Sequence, residues 1–268
     1  MATTSAQEAW IRDPDTGRRY DAGYTWRARD LKEARRALQV MSGDPDRVDA
    51  VGEFLAAMSG PSLKALFKKV MSDPDARRIM IERRDLLATL GDRERLATLP
   101  EGTFGRAYYD WTQARDFTAG GLAEAVHVVR RDFQCEVDVM SARVTDMHDL
   151  WHVLNGWDDD MLGEMHLLGY SYAQLGSSGW LALGTLFNLV LVSTGRLDGV
   201  AYFTRAYVRG KRAKALVGVD WEAMLELPLD EVRSRLGVPA PRPYTPLSSD
   251  EWQGVRKRSW ITRRRTRS

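Results

Sequence analysis

Four side chains between residues 148 and 164 have the types and the spacing of a metal site. His148, Asp149 and His152 occur within five positions, and Glu164 follows twelve positions after His152. Each helical residue advances ~100°, so His152 lies about 40° and Asp149 about 100° from His148 around the helix axis. Imidazole and carboxylate groups bind divalent metals such as zinc, and histidines at i and i+4 can hold one ion. The spacing therefore predicts a metal site on a helix.

The fourth residue, Glu164, reaches this site only if the chain reverses direction. Asn155-Gly156 is a helix-ending pair, and residues 158–160 supply three aspartates that favour the start of a second helix. We predict an antiparallel helical hairpin that returns the carboxylate of Glu164 to the histidine pair. Because H-D-x-x-H is a short pattern, a solvated histidine pair at a helix end remains the alternative.

Helical spacing also governs most of the remaining chain. Leu31, Ala34, Leu38 and Met41 share one helix face, because they recur at intervals of three and four residues. The segment 133–139 alternates as a strand does, but no partner strand is visible, so we interpret it as the lead-in to the metal-binding helix. The sequence predicts an all-α protein, a single helical domain. Further helices are predicted at 48–58, 62–71, 106–115, 177–192, 200–216 and 229–236.

Composition and patterning divide the chain into three parts and exclude several classes of protein. We predict a loosely ordered extension at 1–29, an all-helical metal-binding domain at 30–240, and a Pro/Arg-rich tail at 241–268. The single cysteine, Cys135, excludes an intrachain disulfide and paired-cysteine zinc sites. The start lacks the apolar segment of a secretory signal, and the apolar stretch 180–192 is shorter than the ~18 residues of a spanning helix. We therefore expect a cytoplasmic protein.

Basic residues are concentrated in the last thirteen positions, although the net charge is only +2. Tryptophans at 252 and 260 lie among or beside them, and basic residues with tryptophan suit an anionic membrane surface. RNA binding and a disordered solvated terminus are the alternatives. The balanced total charge gives no reason to expect nucleic acid as a partner.

Several segments in the same order resemble the coenzyme Q (ubiquinone) biosynthesis protein four family. One is the metal motif, His148-Asp149-x-x-His152 followed by Glu164. A second is Leu99-Pro-Glu-Gly-Thr-Phe-Gly-Arg-Ala-Tyr108, which is similar to the family's central segment. Pieces of 206–236 are similar to its C-terminal block, so that the resemblance covers residues 46–240.

The resemblance implies an all-helical fold with a zinc-type site at His148, Asp149, His152 and Glu164. It also implies an apolar cavity for polyprenyl lipids and a peripheral membrane role beside other quinone-biosynthesis proteins. The family is linked to oxidative decarboxylation of the polyprenylated hydroxybenzoate ring, in which a hydroxyl replaces the carboxylate. The family often has an arginine where this chain has Thr145, and we take Arg143 as the nearest replacement for a contact with a carboxylate or phosphate of the substrate.

Three functional hypotheses follow from the motif and the resemblance. In the first, an enzyme uses Zn²⁺ or Fe²⁺ to polarise the ring acid, while Glu164 or Asp149 moves a proton. Since zinc is redox-inert, oxidation requires dioxygen chemistry centred on the substrate, or iron. In the second, the metal is structural, with four protein ligands, and the protein presents lipids to partner enzymes. The third, a hydrolase of the H-E-x-x-H type, is disfavoured because Asp149 replaces the glutamate.

The predicted partners are a polyprenylated ring precursor or isoprenoid lipid, other quinone-biosynthesis proteins and the inner face of a membrane. The apolar helix 180–192 is equally suited to the core, to the wall of a lipid tunnel or a membrane-facing surface, or to a homodimer interface. Outside the metal motif, we expect ordinary packing or surface roles for His166 and His127. For Asp146 we expect either a contact with a metal ligand or plain solvent exposure, and not ligation.

Overall fold

The computed structural model describes residues 10–43, 47–115 and 132–258. Across these ranges the chain forms fourteen helices and no named strand, and two isolated bridges join Arg12 to Arg19 and Thr103 to Pro228. The all-α prediction is confirmed. The helices are α1 (Leu31–Gly43), α2 (Val48–Ser59), α3 (Pro61–Ser72), α4 (Pro74–Ile81), α5 (Leu86–Gly91), α6 (Arg93–Thr98), α7 (Phe104–Gln113), α8 (Glu136–Asn155), α9 (Met161–Leu175), α10 (Ser178–Val192), α11 (Asp198–Arg212), α12 (Trp221–Met224), α13 (Leu229–Leu236) and α14 (Ser249–Arg258).

Side chains at the helix starts explain why several helices begin where they do. The carboxylate of Asp73 accepts hydrogen bonds from the backbone N–H groups of Asp75 and Ala76, with Pro74 in the first helical position. Asp160 caps α9 by accepting from the N–H of Leu162. At its other end α9 stops at Gly176, which adopts the left-handed conformation that glycine tolerates best.

The backbone divides into two compact units, each built from three separate segments of chain. The first unit contains residues 1–25, 67–155 and 214–240, and the second contains residues 26–66, 156–213 and 241–268. Neither unit is therefore a continuous stretch of sequence. The predicted boundary positions, near residues 29 and 240, stay predictions as limits of a domain.

The first unit is organised around α7 and α8. Phe104, Tyr108, Trp151 and Trp221 are fully or almost fully buried there. The backbone of α7 is tied to the loop before α13, because the N–H of Phe104 donates to the carbonyl of Leu227. Buried aromatic surface of this kind supplies most of the driving force for folding.

The second unit owes its tightest packing to glycines between α9 and α11. A methyl group on Gly169 would lie 2.3 Å from the carbonyl oxygen of Phe203, and one on Gly210 would lie 2.8 Å from the Cβ of Ala173. The two helices can approach this closely only because both positions lack a side chain. Their extensive contact fixes α9, which carries Glu164.

Two segments that were predicted to lie outside the packed helical domain are packed in the structure. Ile11 and Tyr20 are buried, and the N–H of Glu136 donates to the carbonyl of Tyr20, so residues 10–25 pack on the first unit. The expectation of a loosely ordered extension is therefore wrong for this part. Leu247 and Val255 are buried as well, and α14 lies within the segment 241–268 that the sequence predicts to be a tail outside the helical domain.

The helix bounds otherwise agree closely with the predicted ones. The helices α2, α3, α7, α10 and α13 match predicted segments to within about two residues, and the segment after Phe133 leads into α8 as interpreted. The predicted helix at 200–216 ends earlier, at Arg212. None of the described helices combines the length and the apolar character that crossing a bilayer requires.

Candidate metal centre

The two histidines of the motif lie on the last two turns of α8. His152 is almost fully buried, whereas about a third of the side chain of His148 is exposed. Their ring centroids are 5.0 Å apart, as expected for neighbours at i and i+4 on one helix face. This arrangement gives the pair one buried side and one side open to solvent.

Glu164 completes a group of three candidate ligands. His148, His152 and Glu164 each offer one ligand atom, and these atoms all lie within 4.8 Å of one another. Two imidazoles and one carboxylate form a donor set that suits Zn²⁺ or Fe²⁺. The residues present therefore fit a divalent metal, and the spacing in the sequence correctly predicted that these three side chains lie close together.

Asp149, the fourth predicted ligand, lies outside this group. Its Oδ1 is 3.0 Å from Nδ1 of His148, so the two side chains form a hydrogen bond. An imidazole that donates from Nδ1 presents the lone pair of its Nε2, which is how carboxylates commonly orient metal-binding histidines. Direct ligation by Asp149, and a catalytic role for it, stay predictions.

Helix α7 supplies the wall against which His152 packs. The Trp111 ring is stacked on His152 with 5.3 Å between centroids, and the Arg115 guanidinium lies 4.0 Å from the centre of Trp111. Burial, together with the negative charge of Asp149, raises the pKa of Tyr108 on the same helix. No local sequence pattern predicts that α7 contacts the site, since the two segments are far apart along the chain.

Arg143 does not serve as the substrate contact that was expected of it. Its side chain is fully buried and makes two hydrogen bonds with the carboxylate of Glu222, at 2.6 and 3.0 Å. It also donates to the carbonyl oxygens of Arg84 and Val219. An arginine held by all these acceptors is a structural residue of the first unit, and the prediction is wrong.

The remaining histidine of the hairpin, His166, packs as expected. Its ring stacks on Trp157 and contacts Tyr202 and Tyr244, and its Nδ1 lies 2.7 Å from the carbonyl oxygen of Leu162. Burial lowers the pKa of His166 to about 4, so its imidazole is neutral at pH 7. His127, for which a surface or packing role was expected, lies outside the described residues.

Comparison of the sequence with known protein families identifies the family of this chain. The sequence profile of the family "Coenzyme Q (ubiquinone) biosynthesis protein Coq4" matches residues 31–242, which is most of the chain. The chain belongs to this family. The resemblance inferred from the metal motif and from the segment that ends at Tyr108 is therefore confirmed.

Individual relatives support the same assignment at lower identity. The ubiquinone biosynthesis protein COQ4 of Scheffersomyces stipitis is 29% identical over 194 residues, which are 72% of this chain and 58% of that protein. The Danio rerio homologue is 28% identical over 200 residues, covering 74% of this chain and 72% of that protein. Both relatives are described as mitochondrial. This family member thus spans less than two thirds of the Scheffersomyces protein's length.

A solved structure supports the fold of this family member. The crystal structure of a Nostoc punctiforme protein assigned to ubiquinone biosynthesis superposes with a TM-score of 0.60. The match covers 80% of this chain and all of the Nostoc chain, at 20% sequence identity. At that identity the likeness concerns the fold alone.

Proposed function

We propose that this Coq4 family member is a metal-dependent enzyme of ubiquinone synthesis that converts a polyprenylated hydroxybenzoate by oxidative decarboxylation. The observation that carries the proposal is the group formed by His148, His152 and Glu164. Three protein ligands leave a position for water or substrate, whereas structural zinc sites are closed by four. The partial exposure of His148 supports an open site.

The reaction breaks the bond between the ring and its carboxylate carbon and forms a ring C–O bond. Dioxygen is the oxidant: one ring acid, one dioxygen and one water give one phenol, one carbon dioxide and one hydrogen peroxide. When bound, the metal supplies Lewis-acid polarisation of the ring carboxylate or of an adjacent phenolic oxygen. His148, His152 and Glu164 hold it, and the carboxylate of Asp149 orients the His148 ring and exchanges a proton with the substrate.

Metal analysis tests the first half of the proposal. The protein, purified without a histidine tag, is expected to carry about one equivalent of zinc or iron by mass spectrometry. His148→Gln and Glu164→Gln are expected to lose this metal during purification and to keep only weak binding through the two remaining ligands. Glu231→Gln, at a partly exposed glutamate of α13 that pairs with Arg235, is the control that keeps the metal. A wild-type protein that carries no metal and takes up none would overturn the proposal.

Turnover of the ring acid tests the second half. The probe is prenylated 4-hydroxybenzoate labelled with ¹³C in the carboxyl group, and labelled carbon dioxide is measured with and without dioxygen. The proposal predicts release that requires dioxygen and that His148→Gln abolishes. A metal-loaded protein that binds the prenylated acid without releasing carbon dioxide would instead support a lipid-presenting scaffold.

The same proposal places the protein at the inner face of an anionic membrane, where polyprenyl substrates reside. Helix α10 has no charged residue, and α11 has four basic residues and one acid, Asp198, which pairs with Arg196. Exposed apolar side chains accumulate on these two helices and the turn between them. Exposed apolar side chains with basic residues close to them in the chain suit lipid tails and anionic headgroups, and we treat them as one apolar surface. We define it as the α10–α11 surface, formed by Leu181, Leu189, Val192, Leu197, Val200 and Val208.

A further inference from the structure

The turn that precedes α9 is held by a segment near the C-terminus. Gly156 lies so close to Pro241 that a methyl group on Gly156 would be 2.7 Å from the proline ring. Two residues further on, the backbone N–H of Asp158 donates to the hydroxyl of Tyr244 at 2.9 Å. We call residues 241–247 the strap, because both ends of this segment contact the turn.

Asp160 is the point at which the strap and α9 meet. Its Oδ1 accepts from the N–H of Leu162, as the helix cap, and from the N–H of Leu247 at 2.8 Å. Its Oδ2 accepts from the hydroxyl of Tyr244. Through its backbone carbonyl, Asp160 also accepts from the N–H of Glu164 at 2.9 Å. One residue therefore joins the strap, the helix start and the candidate metal ligand.

The hydroxyl of Tyr244 has a fixed direction in this network. It accepts from the N–H of Asp158 and donates to the carboxylate of Asp160, so both of its roles are used. Burial and the hydrogen bond to Asp160 raise the pKa of Tyr244, which keeps the hydroxyl protonated. Gly163 leaves room for it, since a methyl group there would lie 2.9 Å from the hydroxyl oxygen.

We infer that Tyr244 is a positioning residue that fixes the first turn of α9 and thereby the carboxylate of Glu164 for metal binding. The inference rests on the proposed function, because it assumes that Glu164 is a ligand. It concerns residues outside the match to the family profile, because that match ends at residue 242, before Tyr244 and Leu247. Groups that orient metal ligands commonly change metal affinity by 10–100-fold when they are removed.

Metal affinity of Tyr244→Phe is the test, measured by competition with a chelator for Zn²⁺. Phenylalanine keeps the ring and removes the hydroxyl, and we expect affinity to fall about tenfold. The absorption spectrum of the Co²⁺-loaded protein is expected to change as well, because it reports the arrangement of the ligands. The matched control is Tyr207→Phe, whose ring stacks on Tyr172 in the same unit and which should leave both readouts unchanged.

A double-mutant cycle separates an effect on Glu164 from a general loosening of the fold. If the hydroxyl acts through Glu164, Tyr244→Phe should not weaken the residual metal binding of the Glu164→Gln protein any further. An equal loss in both backgrounds, or a lower unfolding temperature with unchanged affinity and an unchanged Co²⁺ spectrum, would overturn the inference. Those outcomes leave the proposed function standing, whereas a wild-type protein without metal affinity removes both.

Discussion

The guanidinium of Arg143 and the carboxylate of Glu222 form an ion pair in the first unit, and its arginine is fully buried. We expect Glu222→Ala to lower the free energy of unfolding by about 3 kcal/mol or more, because it leaves a charge in the interior without its partner. Chemical denaturation measures this change. Glu53→Ala, which breaks an exposed pair with Arg36, is the control and should cost at most about 1 kcal/mol. Equal losses of unfolding free energy in the two variants would mean that burial of the ion pair does not determine the loss.

The hydrogen bond between His148 and Asp149 makes a distinct prediction for the fourth residue of the motif. We expect Asp149→Asn to lower metal affinity about tenfold and to keep close to one metal per chain, because the three-residue group persists. Metal titration followed by mass spectrometry checks both quantities. A complete loss of bound metal would show instead that Asp149 is itself a ligand.

The residue types and spacing of the motif were enough to predict that His148, His152 and Glu164 lie together. Helical geometry places the two histidines on one helix face. The Asn155-Gly156 pair predicts the end of that helix and the reversal of the chain that returns Glu164 to the histidines. The burial of Arg143 could not be predicted in this way. Its partner, Glu222, is 79 positions away, and local spacing carries no information about such contacts.

At the scale of elements, the close packing of α9 and α11 makes a prediction about glycine. A methyl group on Gly169 would collide with the backbone of Phe203, so we expect Gly169→Ala to lower the free energy of unfolding by ~1–3 kcal/mol. Gly52, on α2, has no atom within 4 Å of an added methyl group and is the matched control. Gly52→Ala should stabilise the protein by ~1 kcal/mol, because alanine favours helix. Thermal or chemical unfolding of both variants measures these changes, and a Gly169→Ala protein as stable as the wild type would contradict the prediction.

The α10–α11 surface makes a prediction about membranes. Sedimentation with vesicles that contain anionic lipid should bring down the wild-type protein, and less of it as the salt concentration rises. Leu189→Glu and Leu197→Glu should reduce the bound fraction, because each places an acid in the apolar surface. Leu31→Glu, at an exposed leucine on α1, is the control. If all three variants sediment like the wild type, this surface is not the site of contact.

The helical spacing of apolar residues predicted most helices. A helix that buries one face carries apolar residues at intervals of three and four positions, and this pattern is visible in its own sequence. The same spacing did not predict the order of residues 10–25 and of α14, because these segments are held by contacts with residues distant in the sequence. Tyr20 is buried against the start of α8, and Trp252 on α14 packs edge-to-face on Phe187 of α10. Short polar segments with a few apolar residues become ordered only through such long-range contacts.

For the molecule as a whole, the packed C-terminal segment predicts that a chain shortened to residue 240 will be unstable. Such a chain loses Leu247 and Val255, whose burial contributes about 3 kcal/mol or more, as well as the strap. A chain that ends at Arg258 keeps every described contact of α14 and serves as the control. Equal unfolding temperatures for the two chains would show that the segment adds nothing to stability.

The way in which the two units share the chain has a consequence for synthesis on the ribosome. Residues 214–240 belong to the first unit and residues 241–258 to the second, so both units include segments that are translated after residue 213. Neither unit can bury its full core while these segments are still unmade, and apolar surface such as that of α10 stays uncovered during elongation. A nascent chain that ends before residue 214 therefore contains neither unit in full, and no fragment cut at a single point yields one whole unit.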